Sequence, residues 1–143
     1  MVAGPAAAPV TPLATAYPTT AAGREAHEGE LLAPTDTFTV TNTYSTNQYA
    51  EIGLATGTKP LIVPTEVADA QDTAAIQAVK DDNAARAVTL DDGASINFLS
   101  AANQGTPLPW LTPTNPIRVG ARATLHAPVI LEFRNNVWKL QPT

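Results

Sequence analysis

The stretch that decides the fold is Leu131 to Leu140, Leu-Glu-Phe-Arg-Asn-Asn-Val-Trp-Lys-Leu. Two consecutive asparagines tolerate positive φ angles, so Asn135-Asn136 predicts a two-residue type I′ turn between two antiparallel strands. In that register all the large apolar residues except Val137 share one face, because side chains alternate along a strand. That face is predicted to be buried, and its members are Leu131, Phe133, Trp138 and Leu140. The opposite face includes Glu132 and Lys139, which we expect to form a partial ion pair.

Working outward from the hairpin, the sequence predicts a series of short strands. Alternating or apolar runs are typical of strands at residues 28–32, 37–44, 49–55, 61–63, 87–90 and 117–125. Asp91-Asp92-Gly93 predicts a turn rather than a calcium loop, because the spacing of calcium ligands is absent. One helix is predicted from Asp72 to about Asn83, with Asp72 as its N-cap and Ala75, Ile76 and Val79 as its apolar stripe. The expected fold is all-β, a small OB-like β-barrel with one short helix and a C-terminal β-hairpin.

The N-terminal residues 1–23 differ from the rest in composition. They consist largely of Ala, Pro and Thr with almost no charge, which favours a disordered linker. Residues 24–143 are then one barrel module, a size that suits a single domain. The N-terminus lacks the pattern of a signal peptide, and no run of about 18 apolar residues predicts a membrane span.

Charge and residue chemistry restrict the function. The formal net charge of -5 argues against a domain that depends on phosphate backbones. However, residues 94–143 carry four basic side chains against Glu132 alone, whereas residues 1–93 carry four basic and twelve acidic ones. The basic side chains of this C-terminal part are the candidate phosphate contacts, and they are Arg118, Arg122, Arg134 and Lys139.

No catalytic motif is present. The chain has no cysteine, no nucleophile elbow and no phosphate-binding glycine loop. His27 and His126 are interpreted as surface histidines, and no metal ligand and no cofactor are predicted. Trp110 lies in a proline-rich loop over residues 100–116, where it either stacks on a ligand or anchors the loop in the core. We therefore predict that this chain is not itself an enzyme.

An ordered set of short segments resembles the region that precedes the nuclease domain in ExeM/NucH-type secreted bacterial nucleases. The segments span residues 28–143 and are Glu28-Gly29 with Leu31-Leu32, Phe38-Thr39-Val40-Thr41, the run from Gln48 to Leu54, Pro64-Thr65, Leu90-Asp91-Asp92-Gly93, Arg118-Val119-Gly120 and the ending Leu140-Gln141-Pro142-Thr143. The chain departs from the family pattern at Glu30, at Ala50, where the family has glycine, and at Ala121.

The resemblance implies a secreted, extracellular location and a non-catalytic accessory domain. It implies a downstream metal-dependent catalytic domain of the endonuclease/exonuclease/phosphatase type, and the accessory domain would position DNA or pack against that domain. The expected partners are the nuclease domain and DNA, with a monomeric module and no membrane span. Two alternatives stay open: a structural spacer or protein-interaction barrel without a ligand, and a carbohydrate- or cell-wall-binding module that uses Trp110 and nearby tyrosines.

Overall fold

The computed structural model describes residues 8–143, which form one mixed eight-stranded sheet with three helices. The strands are β1 (Leu13–Thr15), β2 (Leu31–Pro34), β3 (Phe38–Asn42), β4 (Ile52–Thr56), β5 (Ala87–Leu90), β6 (Arg122–Ala123), β7 (Val129–Arg134) and β8 (Val137–Pro142). The helices are α1 (Ala21–Glu25), α2 (Thr46–Tyr49) and α3 (Thr73–Arg86), and single 3-10 turns lie at Pro64–Glu66 and Ala101–Asn103.

The spatial order of the strands is β1-β2-β7-β8-β5-β4-β3-β6. The pairs β1–β2 and β5–β8 are parallel, and the other neighbours are antiparallel. The fold is therefore dominated by one sheet, as the sequence predicts. Over the described residues β1 and β6 each have a single neighbour, so the sheet has two edges and the expected closed barrel is not confirmed.

The C-terminal hairpin has the predicted turn and register. Asn135 and Asn136 have φ angles of 54° and 63°, and the pairs run from Arg134 with Val137 to Leu131 with Leu140. Leu131 and Leu140 are fully buried, whereas Phe133 is 44% exposed and Trp138 is only half-buried.

The predicted burial is therefore wrong for Phe133. The reason is that β2 pairs with β7 only at Val129 and Ile130, and β5 pairs with β8 only at Lys139 and Leu140. Within residues 8–143 no strand flanks the turn end of the hairpin, and the aromatic ring that Phe133 packs on there is that of Trp138, with ring centroids 5.0 Å apart.

The core lies on one face of the sheet and draws on most of its strands. The largest fully buried side chain is Phe38 on β3, which is 1% exposed. The cluster comprises Tyr17, Leu32, Phe38, Val40, Ile52, Leu54, Val88, Leu90, Val129, Leu131 and Leu140. Each fully buried Leu, Val, Ile or Phe contributes roughly 1.5–3 kcal/mol. The core thus joins residues that are far apart in the sequence, from Tyr17 to Leu140.

The N-terminal segment is part of the domain from β1 onward, so the predicted linker over residues 1–23 is wrong for residues 13–23. Residues 1–7 of that linker lie outside the described part of the chain. Tyr17 is 3% exposed, and its hydroxyl donates a hydrogen bond to the carbonyl of Ala87 over 3.0 Å. Arg24 donates from Nη2 to the carbonyls of Ala84 and Ala85 at 2.8 and 3.0 Å, at the C-terminal end of α3. These contacts satisfy carbonyls that a helix end leaves unpaired, a role that composition does not reveal.

Helix α3 has the predicted N-cap, because the Asp72 carboxylate accepts from the Ala75 amide over 2.9 Å. It continues to Arg86, three residues past the expected end, and none of its residues is fully buried. It flanks the sheet and packs mainly on the 3-10 turn at Pro64–Glu66 and on β4. No helix within residues 8–143 has the length and apolar character that crossing a membrane requires.

Two predicted strands differ from the structure. Residues 61–63 do not pair, and only Arg122–Ala123 of the predicted strand 117–125 is in the sheet. In the second case Gly120 has a φ angle of 86°, and the Ala121 amide donates to the Arg118 carbonyl in a turn. The Gly120 amide donates instead to the Val40 carbonyl of β3. The turn leaves Val119 55% exposed. Alternation of apolar residues alone therefore overestimates strand length where a glycine breaks the extended backbone.

Candidate functional site

Among the described residues, one cation contacts two carboxylates, and this cluster lies across β4, β5 and β8. Leu90 of β5 pairs with Ile52 of β4 and with Leu140 of β8. Glu51 precedes Ile52 and Asp91 follows Leu90, so these two carboxylates come together beyond the ends of their strands. Lys139 precedes Leu140 and therefore points to the face opposite the apolar core, toward the same carboxylates.

Lys139 is the centre of this cluster and is 3% exposed. Its ammonium donates to Glu51 Oε1 and, over 2.6 Å, to Asp91 Oδ2. The other Asp91 oxygen accepts from the Gly93 amide over 3.0 Å. We call Glu51, Asp91 and Lys139 the charged triad.

The predicted role of Lys139 as an exposed phosphate contact is wrong, because both its burial and its two carboxylate partners remove it from solvent. The expected pair with Glu132 is wrong as well. Glu132 lies opposite Lys139 in the hairpin, but its carboxylate accepts a hydrogen bond from Gln141 Nε2 over 2.8 Å.

The triad shifts the protonation equilibria of Asp91 and Lys139. Burial by itself raises the pKa of the Asp91 carboxyl, but hydrogen bonds from Lys139 and from the Gly93 amide outweigh it and leave the pKa below 3.8. Burial by itself lowers the pKa of Lys139, but its hydrogen bonds to Asp91 and Glu51 leave the pKa above 10.5. Both groups are therefore charged at neutral pH.

The triad forms the floor of a cleft of about 530 Å³, which we call the polar cleft. Its rim is provided by α2, by the turn of the hairpin and by the loop after β5. A hydrogen bond of 2.9 Å from the Phe98 amide to the Gln48 carbonyl joins that loop to α2. The lining residues are Ser45, Tyr49, Glu51, Asp91, Ala94, Ser95, Arg134, Asn135, Val137 and Lys139.

Ala50 connects α2 to Glu51 and has a left-handed backbone, with a φ angle of 56°. This conformation costs a non-glycine residue about 1–2 kcal/mol. The left-handed residue reverses the chain after Tyr49, which puts both Tyr49 and Glu51 on the polar cleft.

The four predicted phosphate contacts do not come together. Arg118 and Arg122 are exposed beside and on β6, at one edge of the sheet. Arg134 is exposed at the end of β7, five strand positions away, and it lines the polar cleft. Lys139 is buried in the floor of that cleft. Four strands of the sheet order thus lie between the strand of Arg134 and that of Arg122, and DNA binding stays a prediction.

Trp110 has the geometry of a loop anchor. Its indole nitrogen donates to the carbonyl of Ala50 over 2.6 Å, and the side chain is half-buried against the core. The proline-rich loop is thereby fixed to the segment that carries Glu51. A role of Trp110 in stacking on a ligand stays a prediction, and its N–H is used within the protein.

The two histidines lie apart from the triad. His27 Nδ1 is 2.7 Å from Glu30 Oε2 at the surface, and His126 is exposed. Within residues 8–143 no three or more His, Asp or Glu side chains are grouped as ligands for a metal ion.

A second surface feature is an apolar cleft of about 660 Å³ beside strand β1, which we call the edge cleft. Leu13 and Ile130 on its wall are 43% and 37% exposed. Its lining residues are Val10, Thr11, Leu13, Gly29, Glu30, Leu31, Ile130 and Thr143. It shares no residue with the polar cleft.

Sequence reasoning missed Glu51 and Asp91 as site residues. Asp91 was assigned to a turn, and Glu51 contributed only to the resemblance. The sequence does contain one indication of this site, a lysine between Trp138 and Leu140 in a predicted strand. A charge flanked by large apolar residues is often buried, and a buried charge is costly unless it has a partner of opposite charge.

Comparisons of the chain with protein-family models, with curated proteins and with solved structures found no match.

Proposed function

We propose that this chain is a non-catalytic accessory module that packs against a neighbouring domain of a larger secreted protein. The resemblance to ExeM/NucH-type proteins supports a metal-dependent nuclease domain as that neighbour. One observation carries the proposal: the edge cleft is apolar, and both Val10 and Thr143 line it. A domain that continues from Thr143 in a longer polypeptide would begin beside this apolar surface.

The edge cleft has the properties of a surface that a neighbour covers. Leu13, Ile130 and Val10 expose 43%, 37% and 74% of their area, and they lie together on the cleft wall. Clustered exposed apolar side chains mark contact surfaces more often than scattered ones do. Strand β1 is also an edge strand of only three residues, which leaves backbone groups that a neighbour can pair with.

DNA positioning is the weaker form of the same proposal, because the arginines that would contact phosphates are dispersed. The OB-like form of the module is also part of the proposal. An OB-like barrel requires the sheet to curl until its two edge strands, β1 and β6, lie near each other. These strands have only three and two residues, so closure would have to join two short edges.

Hydrogen exchange on the isolated chain and on the same chain within its parent polypeptide tests the docking. Packing against a neighbour predicts slower exchange in the parent for amides of residues 10–15, 29–31 and 130. The variant Ile130→Asp should abolish this protection, whereas Val119→Asp, at an exposed apolar position outside the cleft, should leave it intact. Equal exchange at the cleft in both forms would show a spacer that does not dock. A magnesium-dependent nuclease assay on the isolated chain tests the non-catalytic part, and robust cleavage would overturn it.

A further inference from the structure

The polar cleft has the size and the chemistry of a ligand site, and docking at the edge cleft does not use it. We propose that it binds a neutral polyhydroxylated ligand, namely a sugar ring of an oligosaccharide. Its volume of about 530 Å³ falls within the range of roughly 300–1,000 Å³ typical of small-molecule sites. Convergent charged and hydroxyl groups line it beside one aromatic ring, that of Tyr49.

The charge balance of the cleft selects against ions. Two cations, Lys139 and Arg134, face two anions, Glu51 and Asp91. The two carboxylates would repel a phosphate, and the lysine and the arginine would repel an organic ammonium. Neither ion therefore gains much electrostatic free energy on binding. A hydroxyl group donates one hydrogen bond and accepts others, so neighbouring hydroxyls can donate to a carboxylate and accept from the guanidinium.

The floor of the cleft is already organised. Lys139 fixes the carboxylates of Glu51 and Asp91, and the hydrogen bond from Gly93 fixes Asp91 further. Glu51 nevertheless keeps 23% of its side chain exposed, so its carboxylate is held in place and remains reachable. Groups that are ordered before binding lose less entropy when the ligand arrives.

The rim supplies an apolar platform. Tyr49 is 42% exposed, and its hydroxyl accepts a hydrogen bond of 3.0 Å from Gln48 Nε2, which restrains the ring. The C–H face of a pyranose can pack on such a ring while its hydroxyls reach the floor. This assigns the aromatic role to Tyr49 rather than to Trp110, whose indole N–H is bound to Ala50.

NMR titration of the ¹⁵N-labelled chain tests the proposal. The probes are cellohexaose, chitohexaose and maltohexaose, with inorganic phosphate and spermidine as charged comparisons. Saturable shifts at the amides of Tyr49, Glu51, Asp91 and Asn135 with at least one hexasaccharide are expected. No saturable shift with any of the three, or tighter binding of phosphate or spermidine in this cleft, would overturn the proposal.

Exposed residues provide the variants, so loss of binding does not depend on loss of folding. Tyr49→Ala and Arg134→Ala should each weaken the hexasaccharide at least about tenfold. Tyr44→Ala, at a tyrosine that is 91% exposed and outside the cleft, and Arg118→Ala are the matched controls and should leave affinity unchanged. Equal losses in the control variants would refute binding in the polar cleft.

Discussion

Replacing Lys139 with methionine should destabilise the domain strongly, because it leaves Glu51 and Asp91 as neighbouring carboxylates without a counter-ion. Removing one partner of a buried ion pair costs about 3–5 kcal/mol. The 23% exposure of Glu51 allows water to compensate in part, so about 3 kcal/mol is expected. A domain of this kind is stable by about 5–15 kcal/mol, and at about 2–4 °C per kcal/mol its melting temperature should fall by about 10 °C.

Urea unfolding followed by tryptophan fluorescence measures this loss, because Trp138 is half-buried next to Lys139 in β8. The unfolding midpoint should shift without a change in the denaturant slope. Arg118→Met removes an exposed cation and should have little effect. The triple variant Glu51→Gln, Asp91→Asn, Lys139→Met should recover part of the lost stability, since no unpaired charge remains.

The triad also predicts the sign of the pH dependence. The pKa of Asp91 is lowered, so its contribution is present above pH 3.8 and is lost as the pH falls through the lower value of the folded state. The pKa of Lys139 is raised, so its contribution is present below pH 10.5 and is lost as the pH rises through the higher value of the folded state. Lys139→Met should remove this part of the alkaline loss. A Lys139→Met variant within about 0.5 kcal/mol of the wild type would refute the reasoning, because surface substitutions alone stay in that range.

Three further predictions concern other parts of the chain. Burial raises the pKa of Tyr17 to about 12, with Arg24 opposing, so the domain should lose stability between pH 10 and 12. Thermal melts at alkaline pH should show a smaller loss for Tyr17→Phe, and an unchanged loss would contradict this assignment to Tyr17. A methyl group on Gly53 would lie 2.6 Å from Asn42 Cβ, so Gly53→Ala should cost about 1–3 kcal/mol in urea unfolding, and a neutral result would contradict this geometry. A short DNA duplex should shift at most the amides around Arg118 and Arg122, with shifts that fade at higher salt; saturable shifts that extend to the hairpin turn would reveal a DNA surface that the sheet order does not bring together.

The features that the sequence predicts correctly are those that neighbouring residues determine. The turn at Asn135-Asn136 and the register that follows from it need only local backbone preferences and alternation. The N-cap at Asp72 likewise depends on residues three positions apart. In each case the interacting groups are close in the chain, so their pattern is visible without tertiary structure.

The features that the sequence does not predict depend on distant pairs. Lys139 meets Asp91 because β5 and β8 are parallel neighbours, and no local pattern encodes that pairing. Tyr17 is held in the core because its hydroxyl donates to the carbonyl of Ala87, 70 residues later in the chain. Phe133 is exposed because its flanking strands end too early. The composition of residues 1–23 predicts a linker because it is an average over the segment. An average does not reveal that a single residue, Tyr17, makes these contacts.

The position of β8 explains why one hairpin determines both the stability of the sheet and the placement of its surfaces. β8 pairs with β7 on one side and with β5 on the other, so it joins the strands that carry the edge cleft to those that carry Glu51 and Asp91. Lys139 lies in β8 where that strand pairs with β5, and its ammonium binds the carboxylates of Glu51 and Asp91. Because the two clefts share no lining residue, a domain that covers the edge cleft need not occupy the polar cleft. An accessory module that docks through one surface and presents a ligand site on another requires this separation.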